Sequence, residues 1–245
     1  MVSLKVCEKL IRLRKLTLIA SFSLTACSQK LPSIQTEQDQ VIKKVAKSAE
    51  KKHYYDYAAG LRKKYLHLHP HDFKTMEILA QDLSRAGNWK KSLYYYAKLS
   101  RHKPNDNKIR LALANSYLHV GAWELAFAEY ESILMHNPGI QAYNGMGVIL
   151  NAAKHFKSAN SCFDKALLID AHDATSLNNK ALTLALMGRR SQARAMLKDL
   201  ALINQNQAYS DNLRLISKNK PLWPRLFKLT QKLNLNYTCK QKQGA

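Results

Sequence analysis

Residues 87–104 read GNWKKSLYYYAKLSRHKP, and residues 121–138 read GAWELAFAEYESILMHNP. The two stretches place the same kinds of residue at an offset of 34 positions, and four pairs carry the match: Gly87 with Gly121, Trp89 with Trp123, Tyr96 with Tyr130, and Pro104 with Pro138. Glycine adopts turn conformations that other residues resist, and proline stops a helix, so each stretch predicts a helix between a tight turn and a break. A fixed period of this length predicts stacked helical units, because one such unit cannot bury its apolar face alone.

A period of 34 with small, aromatic and terminal proline positions resembles the tetratricopeptide-repeat signature. The resemblance implies an all-α fold, a right-handed superhelical solenoid of helix-turn-helix units. Glycine and proline are scarce, with 8 and 6 residues among 245, which also favours helices over an all-β fold. We expect a repeat array at 39–217, with a degenerate unit at 39–72 and further units at 73–106, 107–139, 140–173 and 174–207.

The third and fourth units depart from the repeat pattern. The third has Lys154 where the turn glycine is expected and Ala171 where the terminal proline is expected. The fourth has Lys180 at a position that usually holds a buried aliphatic side chain. Either the Lys180 ammonium reaches solvent along its apolar stem, or the local register differs from the one we assign.

The first residues predict export. Residues 1–15 carry five basic side chains and one acid, and an uncharged stretch of eleven residues follows at 16–26. That stretch is too short to span a bilayer and suits the core of a signal peptide. It ends in Leu24-Thr25-Ala26-Cys27, which resembles the lipobox of bacterial lipoproteins. The alternatives are an ordinary cleaved signal and a cytosolic helix with a chance cysteine.

The lipobox resemblance implies a signal peptide at 1–26, lipidation of Cys27 and a polar tether at 27–38. Several acyl chains would anchor the protein stably where one chain binds only marginally. Ser28 follows the cysteine, and by the sorting rule of enteric bacteria this resembles an outer-membrane lipoprotein. We therefore expect a lipid-anchored protein on the periplasmic face of the outer membrane.

The chain carries 39 basic against 17 acidic residues, a net charge of +22, which implies anionic surroundings. Nucleic acid is not the expected partner, because we find no RNA-recognition signature, no Cys/His finger spacing and no basic heptad region. Catalytic signatures are also missing: there is no GxSxG, HExxH, Walker or GxGxxG sequence. The sequence predicts a protein-binding scaffold, not an enzyme, with no cofactor and no small-molecule substrate.

His67, His69 and His71 are candidate metal ligands, because three imidazoles in five residues can bind a transition metal on an extended backbone. They fall at a helix end, where positions two apart point to different faces. The simpler interpretation is polar or cationic residues favoured by the helix dipole. We therefore expect no metal site.

In this architecture the first helix of each unit lines a concave groove that suits an extended or helical peptide. Asparagine recurs at the groove positions, and its amide can donate to and accept from a peptide backbone. The alternative is that these are merely solvated helix positions. The candidate partner-binding residues are Lys74, Gln81, Asn115, Leu118, Asn144, Val148, Asn151, Asn178 and Leu182.

Two further expectations concern cysteines and the C-terminus. Cys162 and Cys239 could pair in an oxidising compartment, although Cys162 falls on a repeat helix and suits a small buried residue. Residues 218–245 are expected to form a C-terminal cap helix and a tail.

Residues 142–150 (AYNGMGVIL), 178–188 (NNKALTLALMG) and 211–215 (DNLRL) resemble the tight-adherence (Flp-type) pilus assembly lipoproteins, the TadD group. Lys180-Ala181, Lys154 and Arg214 depart from that group's pattern. The resemblance implies an outer-membrane lipoprotein that binds a secretin or another pilus assembly component. The alternatives are a pilotin-like factor for another type IV pilus and a scaffold for peptidoglycan-remodelling enzymes.

Overall fold

The structure is a computed structural model that describes residues 34–204 and 206–218. In these ranges it contains eleven α-helices and no strand, which confirms the all-α class. Cys27, Cys239 and the expected cap beyond residue 218 lie outside the described residues. The helices are α1 (Ile34–Lys51), α2 (Tyr55–Leu68), α3 (Phe73–Arg85), α4 (Trp89–His102), α5 (Asn107–Val120), α6 (Trp123–His136), α7 (Ile140–Ala152), α8 (Phe156–Ile169), α9 (Ala174–Leu186), α10 (Arg190–Ile203) and α11 (Gln207–Ser217).

The first helix begins earlier than we expected. Residues 34–38 were assigned to a tether, but α1 starts at Ile34. The sequence there is rich in glutamine and glutamate, which favour helix, and the Gln35 amide donates to the Asp39 carboxylate one turn later at 3.1 Å. The boundary between the two compact units of the chain falls within α1, between Gln40 and Val41, and the helix pairs that follow belong to the second unit.

The helices follow the expected repeat. Residues 73, 107, 140 and 174, where we placed the starts of units, are the first residues of α3, α5, α7 and α9. Turns within the units use the left-handed conformation: φ is 76° at Gly87, 82° at Gly121 and 84° at Gly188. Lys154 stands at the equivalent position with φ of 65°. The turn therefore keeps the same left-handed geometry, although this conformation is unfavourable for a residue with a Cβ.

Aspartates start three of the first helices. The Asp72 carboxylate accepts from the Thr75 amide, Asp106 accepts from two amides of α5, and Asp173 accepts from the Ser176 amide. A side-chain oxygen at this position satisfies backbone donors that have no partner inside the helix. The cap at Asp173 marks the boundary of a unit in which Ala171 replaces the usual proline.

Small residues allow the helices to approach closely. A Cβ on Gly145 would overlap the Tyr130 ring, and a Cβ on Gly147 would overlap the Phe163 ring. Both rings are fully buried in the core formed by α5 to α8, as is Cys162. The two glycines of α7 therefore act through packing, because neither has a positive φ.

Lys180 on α9 settles the question of register. Its ammonium lies 2.6 Å from the Asp164 carboxylate of α8, and a quarter of its side chain is exposed. The apolar stem crosses the position where an aliphatic residue was expected, and the charge is paired at its end.

Candidate functional site

The first helices of successive units share one face of the array. Helices α5, α7, α9 and α11 contact one another in turn, whereas α3 and α5 approach each other at most marginally. Among the described helices, second helices of neighbouring units make at most marginal contact with one another. The face formed by the first helices is therefore the more tightly gathered side, on which a groove is expected.

Asparagines tie these first helices together. Ser176 of α9 donates its hydroxyl to the Asn144 amide oxygen of α7 at 3.1 Å, and the Asn151 amide donates to the Thr183 hydroxyl at 2.8 Å. The Asn212 amide of α11 likewise donates to the side-chain oxygen of Asn178 at 2.8 Å.

The burial of Asn144 and Asn151 corrects their expected role. Only 8% and 4% of these residues is exposed, so neither side chain is presented to a partner. The first helices lie close enough here for the amides to bond across the gap, and an unpaired amide there would be costly. Asn178 is half-buried, and its side-chain oxygen already accepts a hydrogen bond from the Asn212 amide.

The other expected groove residues divide by position along the array. Leu118, Val148 and Leu182 are partly buried against the cores beside them. The Asn115 amide oxygen accepts from the Tyr130 hydroxyl, and burial raises the pKa of that phenol. These four side chains contribute mainly to the walls of the stack.

Lys74 and Gln81 line a real cavity. It has a volume of about 410 Å³ and lies between α1, the end of α2 and α3. A helix has 3.6 residues per turn, so positions 74, 78 and 81 fall within about 60° of one another on α3. The lining residues are Ile42, Lys43, Lys47, Glu50, Arg62, Tyr65, Asp72, Lys74, Thr75, Ile78 and Gln81.

Sequence analysis missed the wall that α1 contributes. Val41–Ala49 shows too little repeat consensus to place Ile42, Lys43 and Lys47 opposite α3. The apolar residues at 42, 46 and 49 are a weak helical signal, and Ala46 and Ala49 are indeed buried.

Asp72 carries a fixed negative charge at one end of the cavity. It accepts hydrogen bonds from the Thr75 hydroxyl at 2.9 Å, the Tyr65 hydroxyl at 3.1 Å and the Lys43 ammonium at 3.3 Å. Burial alone would raise the pKa of Asp72, but the hydrogen bonds from Thr75, Tyr65 and Lys43 outweigh it and lower the pKa to about 2. Lys43, 4.3 Å from the centre of the Tyr65 ring, balances this charge.

A buried ion-pair network closes the other end. Arg62 donates to the fully buried Asp82 and to Glu50, and Arg85 donates to Glu50 at 2.8 Å. Burial opposes ionisation of Glu50, but the two arginines together lower its pKa. The acids of this cavity are thus already neutralised by partners from the chain.

The charges left for a partner are positive. Lys47 and Lys74 are exposed and form no ion pair with a described residue. Beside them, Ile42 and Ile78 supply apolar surface. The arrangement suits a segment that buries an apolar side chain and presents carboxylates to the lysines.

The helices resemble solved repeat structures. A thermophilic tetratricopeptide-repeat protein of Thermus thermophilus matches with a TM-score of 0.60 at 18% identity, covering 72% of this chain and 100% of that chain. A tetratricopeptide-repeat protein of Parabacteroides merdae matches with a TM-score of 0.58 at 16% identity, covering 74% of each chain. The chain is a tetratricopeptide-repeat solenoid. The repeat protein is also similar to MamA of Desulfovibrio magneticus, with a TM-score of 0.57 at 12% identity, covering 67% of this chain and 94% of that one.

The similarity of this chain to these solved structures is a similarity of fold. No protein-family model matches the chain, and no curated protein matches it in sequence. Repeat folds of this kind commonly serve as protein-interaction scaffolds, which is the coarse function that the fold indicates.

The histidines of α2 and its C-terminal turn serve separate contacts. His69 stacks on Tyr65 with ring centres 4.3 Å apart, His71 meets the edge of Phe73 at 6.3 Å, and His67 is exposed. Across residues 34–204 and 206–218, no three His, Cys, Asp or Glu side chains group closely enough to hold a metal ion. The expectation that the protein uses no metal stays a prediction.

Within the same ranges, none of the helices combines the length and apolar character needed to cross a bilayer.

Proposed function

We propose that this protein is an outer-membrane-anchored periplasmic scaffold that binds a protein partner and supports assembly of a tight-adherence (Flp) pilus with its secretin channel. The observation that carries the binding proposal is the cavity of about 410 Å³ between α1 and α3, with Lys47 and Lys74 at its edge. The sequence Leu24–Cys27 supports the anchor, and residues 142–150, 178–188 and 211–215 support the pilus assignment.

The partner segment would enter along the face of the first helices. Ile42 and Ile78 offer an apolar contact, and Gln81 can donate to and accept from a peptide backbone. Acidic residues on the segment would interact favourably with the lysines, and this attraction would raise the association rate of the segment at low salt. We expect the asparagine ties of α7, α9 and α11 to keep the array rigid and to make few direct contacts with the partner.

The anchor and the pilus assignment are tested together by crosslinking intact cells and purifying the protein from outer membranes. We compare the wild type with Cys27→Ala. A secretin recovered with the wild type and lost with the variant supports anchored pilus assembly. If Cys27→Ala stays in the membrane fraction, the lipid anchor is wrong.

The groove is tested by Lys47→Glu combined with Lys74→Glu. Secretin recovery should fall at least tenfold while the protein remains folded and membrane-bound. Lys198→Glu on α10 is the matched control, because Lys198 is exposed and lies far from the cavity along the chain. Loss of secretin in the control alone, or in neither variant, would exclude the groove as its binding site.

A scaffold for peptidoglycan-remodelling enzymes is the second candidate, because the net charge of +22 would suit acidic wall polymers. Wall hydrolases recovered in place of a secretin would establish it. A secretin whose gene lies among those of a different type IV pilus would indicate the pilotin-like alternative. None of these functions requires the chain itself to be an enzyme or to hold a cofactor.

A further inference from the structure

A second cavity lies on the other side of α3. Its volume is about 560 Å³, within the usual range of ligand pockets, and it opens between α2, α3 and α4. On α3 it uses Leu79 and Leu83, which point roughly 120–180° away from the position of Gln81. We call it the second-helix pocket. Its lining residues are Asp56, Ala59, Gly60, Lys63, Leu79, Leu83, Asn88, Lys90, Lys91, Tyr94 and Tyr95.

The base of the second-helix pocket is apolar. Ala59, Leu79 and Leu83 are buried members of the neighbouring core, and each also faces the cavity. Two tyrosines form a wall, with Tyr94 and Tyr95 in edge-to-face contact at 5.1 Å. Tyr94 is 64% exposed, a large aromatic surface for a ring that belongs to no core. A ligand that fills this cavity would cover apolar surface that is now open to water.

The rim is positively charged. Lys63, Lys90 and Lys91 line the pocket and are exposed, and only one carboxylate, that of Asp56, lines it with them. None of the three lysines forms an ion pair with a described residue. Three cations therefore surround the apolar base and are available to pair with negative charges of a ligand.

Gly60 contributes no side chain to the lining of the pocket. It lies in the interior of α2, where glycine destabilises a helix relative to alanine. Nothing in the structure requires a glycine there: its φ is not positive, and a Cβ would meet no atom within 4 Å. Gly60 is exposed and is one of the residues that line the cavity. A glycine at the mouth of the pocket leaves room for a ligand, which would account for a residue that otherwise weakens the helix.

We infer that the second-helix pocket binds an acidic peptide segment of a partner protein, with one aromatic or aliphatic side chain on the Leu79–Leu83 base and flanking carboxylates on Lys63, Lys90 and Lys91. The apolar base favours a peptide over an acidic glycan, which has no aromatic or aliphatic side chain to fill it. Binding of an oligonucleotide is one of the outcomes tested below. This site goes beyond the proposed function, since it lies apart from the cavity between α1 and α3 that is lined by Lys47 and Lys74, which we call the first-helix cavity.

Net charge disfavours the occupants that the chain itself could supply. A second copy carries +22, and residues 219–245 contain six basic residues and no acid. Either would place like charge against the lysine rim, which is unfavourable. A partner segment rich in aspartate and glutamate has the complementary charge.

The test uses the full chain and a fluorescent peptide in which one phenylalanine is flanked on both sides by aspartate and glutamate. Binding is followed by fluorescence anisotropy at low and physiological salt. Gly60→Leu should fill the mouth of the pocket and weaken binding at least tenfold, and Lys90→Glu should do the same by charge. Lys64→Glu is the matched control on α2, exposed and outside the lining, and should leave binding unchanged.

Further variants keep the test decisive. Circular dichroism confirms that Gly60→Leu is folded, and Gly60→Ala, which adds less bulk, should melt higher and still bind. Lys74→Glu in the first-helix cavity should not affect the peptide, so failure of one site is distinguishable from failure of the other. The inference is overturned if Gly60→Leu and Lys90→Glu bind like the wild type. It is also overturned if a probe with glycine in place of phenylalanine, an oligonucleotide or an anionic lipid vesicle binds as tightly.

Discussion

Lys154 has a left-handed backbone conformation that a residue with a side chain rarely adopts. Its φ of 65° matches the glycines at the equivalent turns, and a residue with a Cβ is strained in that conformation by about 1 kcal/mol. Lys154→Gly should therefore raise the free energy of unfolding by about 0.5–1 kcal/mol. Urea unfolding measures the change.

Gly188→Ala is the reverse experiment at the next turn. A Cβ there meets no atom within 4 Å, so only the φ of 84° opposes it. It should lower the free energy of unfolding by about 1 kcal/mol. Equal stability of both variants with the wild type would mean that these turns relax without strain.

Asp72 makes the stability depend on pH. The pKa of its carboxyl is about 2 in the folded protein and near 3.8 in the unfolded chain, so the unfolded state binds more protons in acid. The stabilisation is present above about pH 5 and is lost as the pH falls toward 2, at most about 2 kcal/mol.

Asp72→Asn should flatten this acid limb of the unfolding free energy, while an amide oxygen still caps α3. Asp199→Asn, at an exposed position on α10, is the control and should leave the limb in place. Thermal melts of the three proteins between pH 3 and pH 7 compare them. Parallel curves for Asp72→Asn and the wild type would contradict the role of this carboxylate.

Sequence patterns identified single residues well where chemistry left little choice. Lys180 had to bring its charge out of an aliphatic position, and it does so by pairing with Asp164. Cys162 suits a small core residue on a repeat helix, and it is fully buried. Asn144 and Asn151 are buried where exposure was expected, because exposure of a first-helix position depends on the distance to the next first helix, which sequence does not encode locally.

At the scale of one helix, α7 is specified by its glycines. Gly145→Ala would force a methyl group into the fully buried Tyr130 ring, and the core has no room to yield. We expect a loss of about 1–3 kcal/mol in the free energy of unfolding, typical of overpacking. Gly139→Ala, where a Cβ meets no atom within 4 Å, is the control and should change stability little.

Between helices, the tie from Asn151 to Thr183 is measurable by a double-mutant cycle. Asn151→Ala and Thr183→Ala each remove one partner of a buried hydrogen bond of 2.8 Å. Their effects on unfolding should be less than additive, with a coupling of about 0.5–1.5 kcal/mol. The same cycle with Asn151→Ala and Ser191→Ala, at an exposed position on α10, should show no coupling.

At the scale of the molecule, the main contacts between units of the described helices join neighbours, so damage should stay local. Arg62→Met leaves the buried Asp82 carboxylate without its cation, which costs about 3–5 kcal/mol in comparable sites. Amide hydrogen exchange should accelerate in α2 and α3 and remain unchanged in α9 and α10. Uniform acceleration along the whole chain would show that the array unfolds as one unit.

The period of the sequence was sufficient to predict the all-α repeat fold, because every unit must solve the same packing problem. It was not sufficient to predict the two cavities that we propose as binding sites. The cavity between α1 and α3 is lined by α1, whose sequence departs from the repeat, and the second-helix pocket is lined by Gly60, which stands outside the shared glycine positions. Both cavities therefore use residues outside the repeat consensus, which the period alone cannot predict.

The asparagine ties have a mechanical consequence. Helices α7, α9 and α11 are joined to one another by side-chain hydrogen bonds, whereas α3 and α5 have few close backbone approaches and pack through the apolar core that they share. Bending stiffness should therefore be high toward the C-terminal units and low near α3. The array should bend mainly near α3. A partner that binds there would change the arrangement of the nearby helices, while α7, α9 and α11 keep theirs.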